Sequence, residues 1–292
     1  MLSMKLGAVF PQTEIGPDPE TIRRYAEGVE AMGFDYLLAY EHVLGVDPAR
    51  YDTSGYAYTG EDPFHEPFVL FGYLAAITRQ LELVTGILVL PQRNTFVVAK
   101  QAAEVDLLSG GRLRLGVGAG WNVEEVRAMG YNPRTRGRRM DEQVRLLRAL
   151  WSAPYVDFEG DYHAVHGLGI NPLPRERHIP LWFGGMADPV LRRMAAYGDG
   201  WIAPGIAPER ARAGAEALRG YLRDAGRDPD TFGVDARLTP ARQPRDTWDA
   251  YVEGWRALGA THFCCNTMGL GLRSVDEHLA ALEDFQAFMT RV

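Results

Sequence analysis

A glutamate and a histidine stand side by side just after an apolar, strand-like segment, Tyr36–Ala39. Glu41 and His42 offer a carboxylate and an imidazole, two groups commonly used in general acid–base catalysis. In a parallel α/β barrel, residues that follow a strand lie at the end where barrel enzymes build their active sites. We therefore interpret the two as the candidate catalytic pair, with His42 as proton donor or acceptor. The alternative is a surface-loop pair without a role.

Three alternating glycines leave another apolar segment in the sequence LGVGAGW, residues 115–121. The spacing departs from the dinucleotide-binding pattern GxGxxG, because the third glycine comes one residue early and the run lies in the middle of the chain. We therefore reject a Rossmann-type nucleotide site. Glycines at a strand end indicate instead that another strand or a flat ring approaches the backbone closely.

Further glycines could act through their backbone. Gly184 and Gly185, followed by Met186, stand between a predicted strand and a predicted helix. Free N–H groups and the helix dipole at such a position favour a bound phosphate, and a tight strand-to-helix turn is the alternative. Gly86 interrupts the apolar run LELVTGILVL, residues 81–90, and a glycine inside a strand often marks a bulge or a close ligand.

A basic cluster occurs in the sequence RTRGRRMDE, residues 134–142. Its arginines, Arg136, Arg138 and Arg139, could bind a phosphate or an acidic substrate. A solvated helix face on which they pair with Asp141 and Glu142 is an equally good interpretation.

Other residues of reactive type predict no further site. His163 and His166 lie near Asp161, but their spacing lacks the helical context of zinc motifs and no third ligand is evident. Cys264 and Cys265 are adjacent in an apolar run, so on a strand they point to opposite faces and do not form a disulfide. We predict no metal site and two buried core cysteines.

The elements that must position these residues alternate between strand and helix along the chain. Eight such units in this length predict a parallel (β/α)8 TIM barrel, formed as a single domain over residues 1–292. The predicted strands are Leu6–Phe10, Tyr36–Ala39, Leu81–Leu88, Leu113–Val117, Pro180–Phe183, Trp201–Ala203, Phe232–Arg237 and His262–Cys265. The predicted helices are Asp18–Gly33, Pro67–Thr78, Val97–Leu108, Val123–Met129, Arg139–Trp151, Val190–Tyr197, Pro208–Ala225, Arg245–Leu258 and Val275–Met289.

Two segments exceed the usual loop length and are interpreted as insertions. Tyr40–Glu66 follows the second strand, and within it Tyr51–Phe64 could close over a substrate as a lid or serve as a solvent loop or dimer contact. Ala153–Ile179 precedes the fifth strand and contains a predicted hairpin that turns at Glu159–Gly160.

Composition limits the classes of function. The 292 residues carry a formal net charge of −7 without a block of like charges, which argues against nucleic acid or an anionic membrane as a partner. The N-terminus lacks the apolar stretch of a signal peptide, and no apolar run reaches the ~20 residues of a membrane helix. We expect a cytoplasmic enzyme that acts on a small molecule.

At this point the motifs resemble those of the luciferase-like flavin enzymes, in particular the deazaflavin-dependent oxidoreductases. The matching segments follow in family order across nearly the whole chain. They are AMGFDYLLAYEHV, VTGILVLPQRNTFVVAKQAAEVDLLSGGRLRLGVGAGWNVEEVRAMG, RGRRMDE and PLWFGGMADPVLRRMAAYGDGW.

The resemblance implies a TIM barrel with a flavin-like ring at its carboxyl-end mouth. It implies a bulge in the third strand behind the ring, often with a non-prolyl cis peptide, which here falls at Gly86–Ile87. It assigns Asn122 to the ring or its tail and the glycine pair after the fifth strand to the phosphate. It also implies that the insertion before the fifth strand caps the site. The candidate cofactor-binding residues are Gly86, Ile87, Asn122, Gly184, Gly185, Met186 and Arg138.

Departures from the family pattern narrow the expected activity. Sugar-phosphate dehydrogenases of this class carry a glutamate where Ala119 stands, which argues against that reaction. The FMN-using branches differ around the fourth strand and the arginine loop. We therefore expect coenzyme F420, with hydride transfer to or from a small organic substrate. The alternative is FMN with monooxygenation by dioxygen.

Two hypotheses of another kind stay open. A barrel that binds a flavin without turnover would keep the fold and lose the chemistry. A metal-dependent barrel hydrolase would need carboxylates and histidines at several strand ends, and strands five to eight end without them. Relatives commonly form homodimers, so we also expect a homodimer.

Overall fold

The protein, described by a computed structural model over residues 4–292, forms a closed parallel barrel. The third strand of the barrel is divided into two short strands, Glu82–Thr85 and Leu88–Val89, and the pairing of Glu82–Thr85 with Leu113–Gly118 closes the ring. The strands of the barrel are β1 (Lys5–Val9), β2 (Tyr36–Ala39), β3 (Glu82–Thr85), β4 (Leu88–Val89), β5 (Leu113–Gly118), β8 (Leu181–Gly184), β9 (Gly200–Ile202), β10 (Gly233–Leu238) and β11 (His262–Cys265), and β6 (Val156–Glu159) and β7 (Ala164–Leu168) form a separate hairpin. The predicted (β/α)8 architecture is confirmed.

Helices surround the barrel. They are α1 (Pro19–Ala31), α2 (Pro67–Ile77), α3 (Thr95–Ser109), α4 (Val123–Ala128), α5 (Arg136–Ser152), α6 (Asp188–Tyr197), α7 (Pro208–Asp224), α8 (Trp248–Ala257) and α9 (Val275–Met289). In α1 the Asp18 side chain accepts from the Thr21 N–H, and the predicted apolar stripe is buried at Ile22, Tyr25 and Val29. Among residues 4–292, no helix combines the length and the apolar composition needed to cross a membrane.

Several helix starts differ from the predicted ones. Helix α5 begins at Arg136 instead of Arg139, directly after a short 3₁₀ turn, Pro133–Thr135. The sequence prediction placed the start beside the first apolar residue of the stripe, Met140. Arginine has high helix propensity, so the helix extends one turn beyond the apolar pattern. The basic cluster therefore lies on the first turn of α5.

The run predicted as one strand, Leu81–Leu88, is interrupted at its glycine. β3 ends at Thr85, β4 begins at Leu88, and the peptide bond between Gly86 and Ile87 is cis. Gly86 and Ile87 are partly exposed, whereas Thr85 and Leu88 are buried. The interruption exposes strand backbone at the carboxyl-end mouth of the barrel.

The second insertion packs against α3. Its predicted hairpin is confirmed as the antiparallel pair β6–β7. The segment is bonded to the surrounding helices, with Lys100 of α3 donating to the Asn171 carbonyl and the Arg175 N–H donating to Asp106 of α3. These contacts hold this part of the insertion against α3, and the implied cap over the site stays a prediction.

The barrel interior is filled by side chains from alternate strand positions. Cys264 faces this interior, whereas Cys265 faces the layer between strands and helices, as the strand periodicity predicted. Two large rings dominate the lower interior, and glycines make room for them. A Cβ atom at Gly7 would lie 2.2 Å from the Tyr36 ring, and one at Gly200 would lie 2.3 Å from Trp182.

A charged cluster, called here the floor cluster, closes the amino-terminal end of the barrel. Arg114 is buried between the rings of Tyr36 and Trp182, at 4.5 and 4.3 Å from their centroids. It donates to Glu82 at 3.0 Å and to Asp235 at 3.2 Å. The Tyr36 hydroxyl donates to the other oxygen of Asp235 at 2.7 Å. A buried guanidinium is thus paired with two carboxylates inside the barrel.

Candidate active site

A cavity of about 460 Å³ opens at the carboxyl ends of the strands. Its volume is in the usual range for small-molecule sites, and it lies at the face where barrel enzymes place their chemistry. The lining residues come from the end of β10 and from the segments that follow β1, β2, β9, β10 and β11, including the long loop after β2. They are Thr13, Glu14, Tyr40, His42, Ala57, Tyr58, Asp62, Phe64, Gly205, Arg237, Thr239, Ala241, Arg242, Asn266, Met268 and Gly269.

His42 lines this cavity and is held by aromatic rings. Its imidazole stacks on Tyr58 with ring centroids 3.5 Å apart and an interplanar angle of 27°. The edges of Phe64 and Trp121 pack at 5.0 and 6.1 Å. Nδ1 lies 3.2 Å from a carboxylate oxygen of Glu125, which leaves Nε2 as the ring nitrogen without a protein partner among residues 4–292. The structure therefore presents one imidazole nitrogen of a fixed ring for proton transfer.

Glu125 on α4 organises the loop that carries His42. Besides the imidazole, its carboxylate accepts from the Val43 N–H at 2.6 Å, the Tyr58 hydroxyl at 3.0 Å and the Gln92 amide at 3.0 Å. Burial raises the pKa of Glu125, but hydrogen bonds from His42 and the backbone outweigh it and lower the pKa to about 2. The carboxylate stays ionised and orients the imidazole.

Glu41 does not line the cavity. Its side chain is buried, forms an ion pair with Arg93 and accepts from the Val89 N–H of β4. Burial raises the pKa of Glu41, and the Arg93 guanidinium and the Val89 N–H counteract part of that rise. The contacts tie the end of β2 to β4, so the two members of the predicted pair lie in different surroundings.

Asn122 follows β5 and caps α4. Its Oδ1 accepts from the Glu124 and Glu125 N–H groups, both at 3.2 Å, and its Nδ2 donates to the Tyr58 hydroxyl at 3.1 Å. The residue is buried. The structure thus links Asn122 to His42 through Tyr58, while its predicted contact with a cofactor stays a prediction.

Ile87 and the glycines of two neighbouring strands meet at the mouth. A Cβ atom at Gly118 of β5 would lie 2.5 Å from the Ile87 side chain, and one at Gly184 of β8 would lie 2.8 Å from it. A Cβ atom at Gly116 would lie 2.0 Å from the Thr85 carbonyl oxygen. The close approach predicted for the glycine run is therefore that of another strand. The Ile87 side chain lies over Gly118 and Gly184, and we call these three residues the platform.

The glycine pair after β8 leads into α6. Gly185 has φ +114°, and its carbonyl accepts from the Trp201 indole at 2.8 Å. Within residues 4–292, the N–H groups of Gly185, Met186 and Ala187 donate no hydrogen bond, and no side chain caps α6. Free N–H groups at the start of a helix are suited to an anion.

The arginines of the basic cluster have different partners. Arg136 donates to the Pro133 carbonyl, and Arg139 donates to the Pro91 carbonyl and stacks on Tyr131. Arg138 is exposed and has no ion-pair partner in the described part of the chain.

The alternative pairing of these arginines with two acids of the same helix is not observed. Asp141 pairs with Arg193 of α6, and Glu142 accepts from His163 at 2.6 Å. His163 also contacts the Thr95 hydroxyl at 2.7 Å, so both of its ring nitrogens are engaged.

Arg237 is a site residue that the sequence analysis missed. It lies near the end of β10, lines the cavity and stacks over Tyr40 at 5.0 Å. In the sequence VDARL, Asp235 and Arg237 alternate with the apolar residues Val234, Ala236 and Leu238. Alternation of charged and apolar residues in a barrel strand indicates charges in the barrel interior, and that signal could have identified Arg237. Glu125 and Tyr58 carried no comparable signal.

Comparisons with known proteins bear on this site. The sequence profile described as luciferase-like monooxygenase matches residues 3–284. An uncharacterised protein of Mycobacterium tuberculosis is 33% identical over 210 residues, which cover 69% of this chain and 71% of that protein. An FMNH(2)-dependent dimethylsulfone monooxygenase of Pseudomonas putida is 31% identical over 182 residues, 61% of this chain and 47% of that protein.

A solved structure shares the fold. An F420-dependent secondary alcohol dehydrogenase in complex with an F420-acetone adduct superposes with a TM-score of 0.75, over 91% of this chain and 93% of that one. The two sequences are 19% identical, so this likeness concerns the barrel architecture.

Proposed function

The chain belongs to the luciferase-like monooxygenase family, and on that premise we propose that it is an F420-dependent oxidoreductase that transfers hydride to or from a small organic substrate. The observation that carries the proposal is the division of the barrel mouth. Of the predicted cofactor residues, Gly86 and Ile87 lie between β3 and β4, Asn122 follows β5 and the glycine pair lies at the end of β8, and these strands are neighbours. The cavity with His42 lies at the ends of β1, β2, β9, β10 and β11. Such a mouth has room for a ring on one side and a substrate on the other.

The platform suits a planar ring. Gly118 and Gly184 carry no side chain, and Ile87 fills the space above both. The backbone at Gly86 and Ile87 is accessible at this position. A flat heterocycle would therefore lie on the Ile87 side chain and beside the partly exposed Gly86, and no side chain of Gly118 or Gly184 would stand in its way.

The start of α6 suits the phosphate group of the cofactor. Gly185, Met186 and Ala187 present unpaired N–H groups there, and a Cβ-bearing residue would be strained at the positive φ of Gly185. Arg193 of α6 donates to the Gly137 carbonyl at the first turn of α5, so the neighbouring Arg138 is close to this helix. Its exposed guanidinium can bind an anionic tail.

The bound cofactor would supply the hydride chemistry, and the protein would supply orientation and proton transfer. His42 offers Nε2 to the cavity, while Glu125 holds Nδ1 at 3.2 Å. Tyr58 fixes the plane of the ring by stacking. Glu41 acts in this proposal as a positioning residue, because its contacts with Arg93 and Val89 hold the segment that contains His42 against β4.

F420 is proposed ahead of FMN because of the quoted family segments, and the exposed Arg138 on α5 is available to an anionic cofactor tail. FMN is the second candidate, supported by the 31% identity to the Pseudomonas putida enzyme. A deazaflavin has carbon at the reactive ring position, so it passes hydride and does not activate oxygen readily. Cofactor identity therefore decides between hydride transfer and monooxygenation.

Titration of the purified apoprotein with oxidised F420 and separately with FMN, followed by fluorescence, tests the proposal. We expect saturable F420 binding that is at least tenfold tighter than FMN binding. A preference for FMN, above all in its reduced form, would move the function to oxygen chemistry. Binding of neither would overturn the proposal.

A matched pair of glycine variants tests the phosphate position. Gly185→Ala should weaken cofactor binding at least tenfold, because a side chain there is incompatible with φ +114° and shifts the N–H groups. Gly226→Ala is the control, since Gly226 also has positive φ (+70°) and open space around it, but lies after α7. Equal loss of affinity in both variants would argue against a phosphate at Gly185.

A further inference from the structure

The cavity contains a guanidinium without a carboxylate partner. No Asp or Glu oxygen of the described chain lies within 4 Å of Arg237, and its Nε is buried without a hydrogen-bond partner. Asp235, two residues earlier, is committed to Arg114 and the Tyr36 hydroxyl. Tyr40 covers one face of the guanidinium. Arg237 as a whole is half-buried, and a cation partly withdrawn from water is stabilised when a ligand supplies the missing counter-charge.

Further polar groups share this wall of the cavity. Arg242 follows β10, is exposed and has no ion-pair partner among residues 4–292. The Thr239 hydroxyl forms no hydrogen bond with the described residues either. Asn266 after β11 uses its Oδ1 to accept from the Met268 N–H, which leaves its amide NH₂ available. The wall therefore offers mainly hydrogen-bond donors at the ends of two adjacent strands.

The acidic residues of the cavity are engaged elsewhere. Glu14 accepts from the Gly269 N–H at 2.8 Å and lies 3.3 Å from His278. Asp62 accepts from the Thr59 N–H and hydroxyl. The lining as a whole holds two carboxylates as well as two arginines, so one anionic group on the ligand is enough to give Arg237 a counter-charge.

The remaining surface of the cavity is apolar and aromatic. Tyr40, Phe64 and Met268 line it together with Tyr58 beside His42. A ligand that fits both parts has one anionic group and an apolar or aromatic body. Planar carboxylates match a guanidinium through two parallel hydrogen bonds, which a lysine cannot reproduce.

We propose that the substrate is a small organic monocarboxylate whose carboxylate binds Arg237, with Arg242, Thr239 and Asn266 as further donors. The inference rests on the proposed function, since it names the substrate class of that site. The apolar body lies between Tyr40, Phe64 and Met268, so the carboxylate anchors one end of the molecule. The reacting carbon lies at the other end, towards His42.

Binding to the protein itself tests the inference without turnover. Phenylacetate and its neutral analogue phenylacetamide are titrated calorimetrically into wild-type protein, with and without F420. We expect phenylacetate to bind at least tenfold more tightly than the amide. Arg237→Gln should remove that difference, and Arg237→Lys should restore only part of it, because bidentate contact is lost.

Controls separate the possible failures. Arg219→Gln, on the exposed face of α7, should leave phenylacetate binding unchanged. Thermal unfolding checks that each variant is folded, and F420 affinity checks the cofactor position separately. Retention of phenylacetate preference in a folded Arg237→Gln variant would overturn the inference. So would inorganic phosphate displacing phenylacetate at equal concentration. Loss of F420 binding with intact phenylacetate preference would overturn only the proposed function.

Discussion

Two arginine side chains lie inside the barrel, Arg114 near its floor and Arg237 near its mouth, and their surroundings differ. Arg114 contacts two carboxylates and two aromatic rings. Arg237 contacts one aromatic ring and no carboxylate within 4 Å. Arg114 is fully buried and Arg237 is half-buried, so withdrawal from water is unfavourable for both guanidinium groups, but only at the floor does the protein supply the counter-charges itself. The difference indicates a structural role for the floor cluster and a ligand-binding role for the mouth.

Replacing each arginine by methionine should give the largest contrast. Arg114→Met leaves the buried Asp235 and the half-buried Glu82 without their cation, so we expect a loss of about 3–5 kcal/mol in the free energy of unfolding. Arg237→Met leaves no acid unpaired and should change stability by less than about 1 kcal/mol. Denaturant unfolding of both variants measures this, and equal losses would remove the distinction between floor and mouth.

Glu125→Gln should have the next largest effect. A glutamine offers one acceptor oxygen and a donor amide to groups that all donate, so a loss of about 2–3 kcal/mol is expected. Because the folded-state pKa of Glu125 lies below the ordinary value, the wild type should lose this contribution as the pH falls from about 4.5 towards 2.

Glu142→Gln is the matched control, because Glu142 also pairs with a histidine but lies away from the cavity. Both variants should unfold at lower denaturant concentration, and only Glu125→Gln should weaken F420 binding. A stable Glu125→Gln variant with unchanged F420 affinity would contradict the role of Glu125 in organising the site.

Stability should also depend on pH through His262, whose ring packs beside the floor cluster at 5.7 Å from the Tyr36 ring and 4.9 Å from the Trp182 ring, measured between centroids. Burial lowers the pKa of His262 to about 3, and the nearby cations Arg114 and Lys5 add to the shift. The unfolded chain therefore binds a proton that the folded protein does not, and stability decreases as the pH falls below about 6.5. Between about pH 5.5 and 4.5, His262→Gln should reduce the slope of unfolding free energy against pH by about 1.4 kcal/mol per pH unit. An unchanged slope in the His262→Gln variant would show that the folded-state pKa of His262 is not lowered by burial.

Two helix caps give the smallest and most specific contrast. Asn122 and Asn94 each accept from two backbone N–H groups, at the starts of α4 and α3. Alanine at either position should cost about 1 kcal/mol in unfolding experiments. Only Asn122→Ala also removes the hydrogen bond from Asn122 Nδ2 to the Tyr58 hydroxyl. Only that variant should therefore lower F420 affinity in the fluorescence titration. A matching decrease for Asn94→Ala would show that the effect is a general loss of stability.

Strand and helix periodicity predicted the barrel, because near-continuous apolar strands alternate with amphipathic helices throughout the chain. The glycine in LELVTGILVL predicted the interruption at Gly86–Ile87, and the segment after the second strand predicted the position of His42. The start of α5 was predicted less accurately, because the first turn of this helix carries no apolar stripe. The hydrogen bonds between Glu125 and the loop that carries His42 were not predictable, because His42 and Glu125 are 83 residues apart and no local pattern relates them.

The sequence by itself determined which segments form strands, which residues end them and therefore which side chains reach the mouth. It did not determine which charges meet. Arg114 and Arg237 are residues of the same type inside apolar strands, and their environments depend on which strands are neighbours and in what register. Pairing across the barrel brings Asp235 and Glu82 to Arg114 and brings no acid to Arg237. Long-range strand pairing therefore decided which arginine stabilises the fold and which one remains available to a ligand.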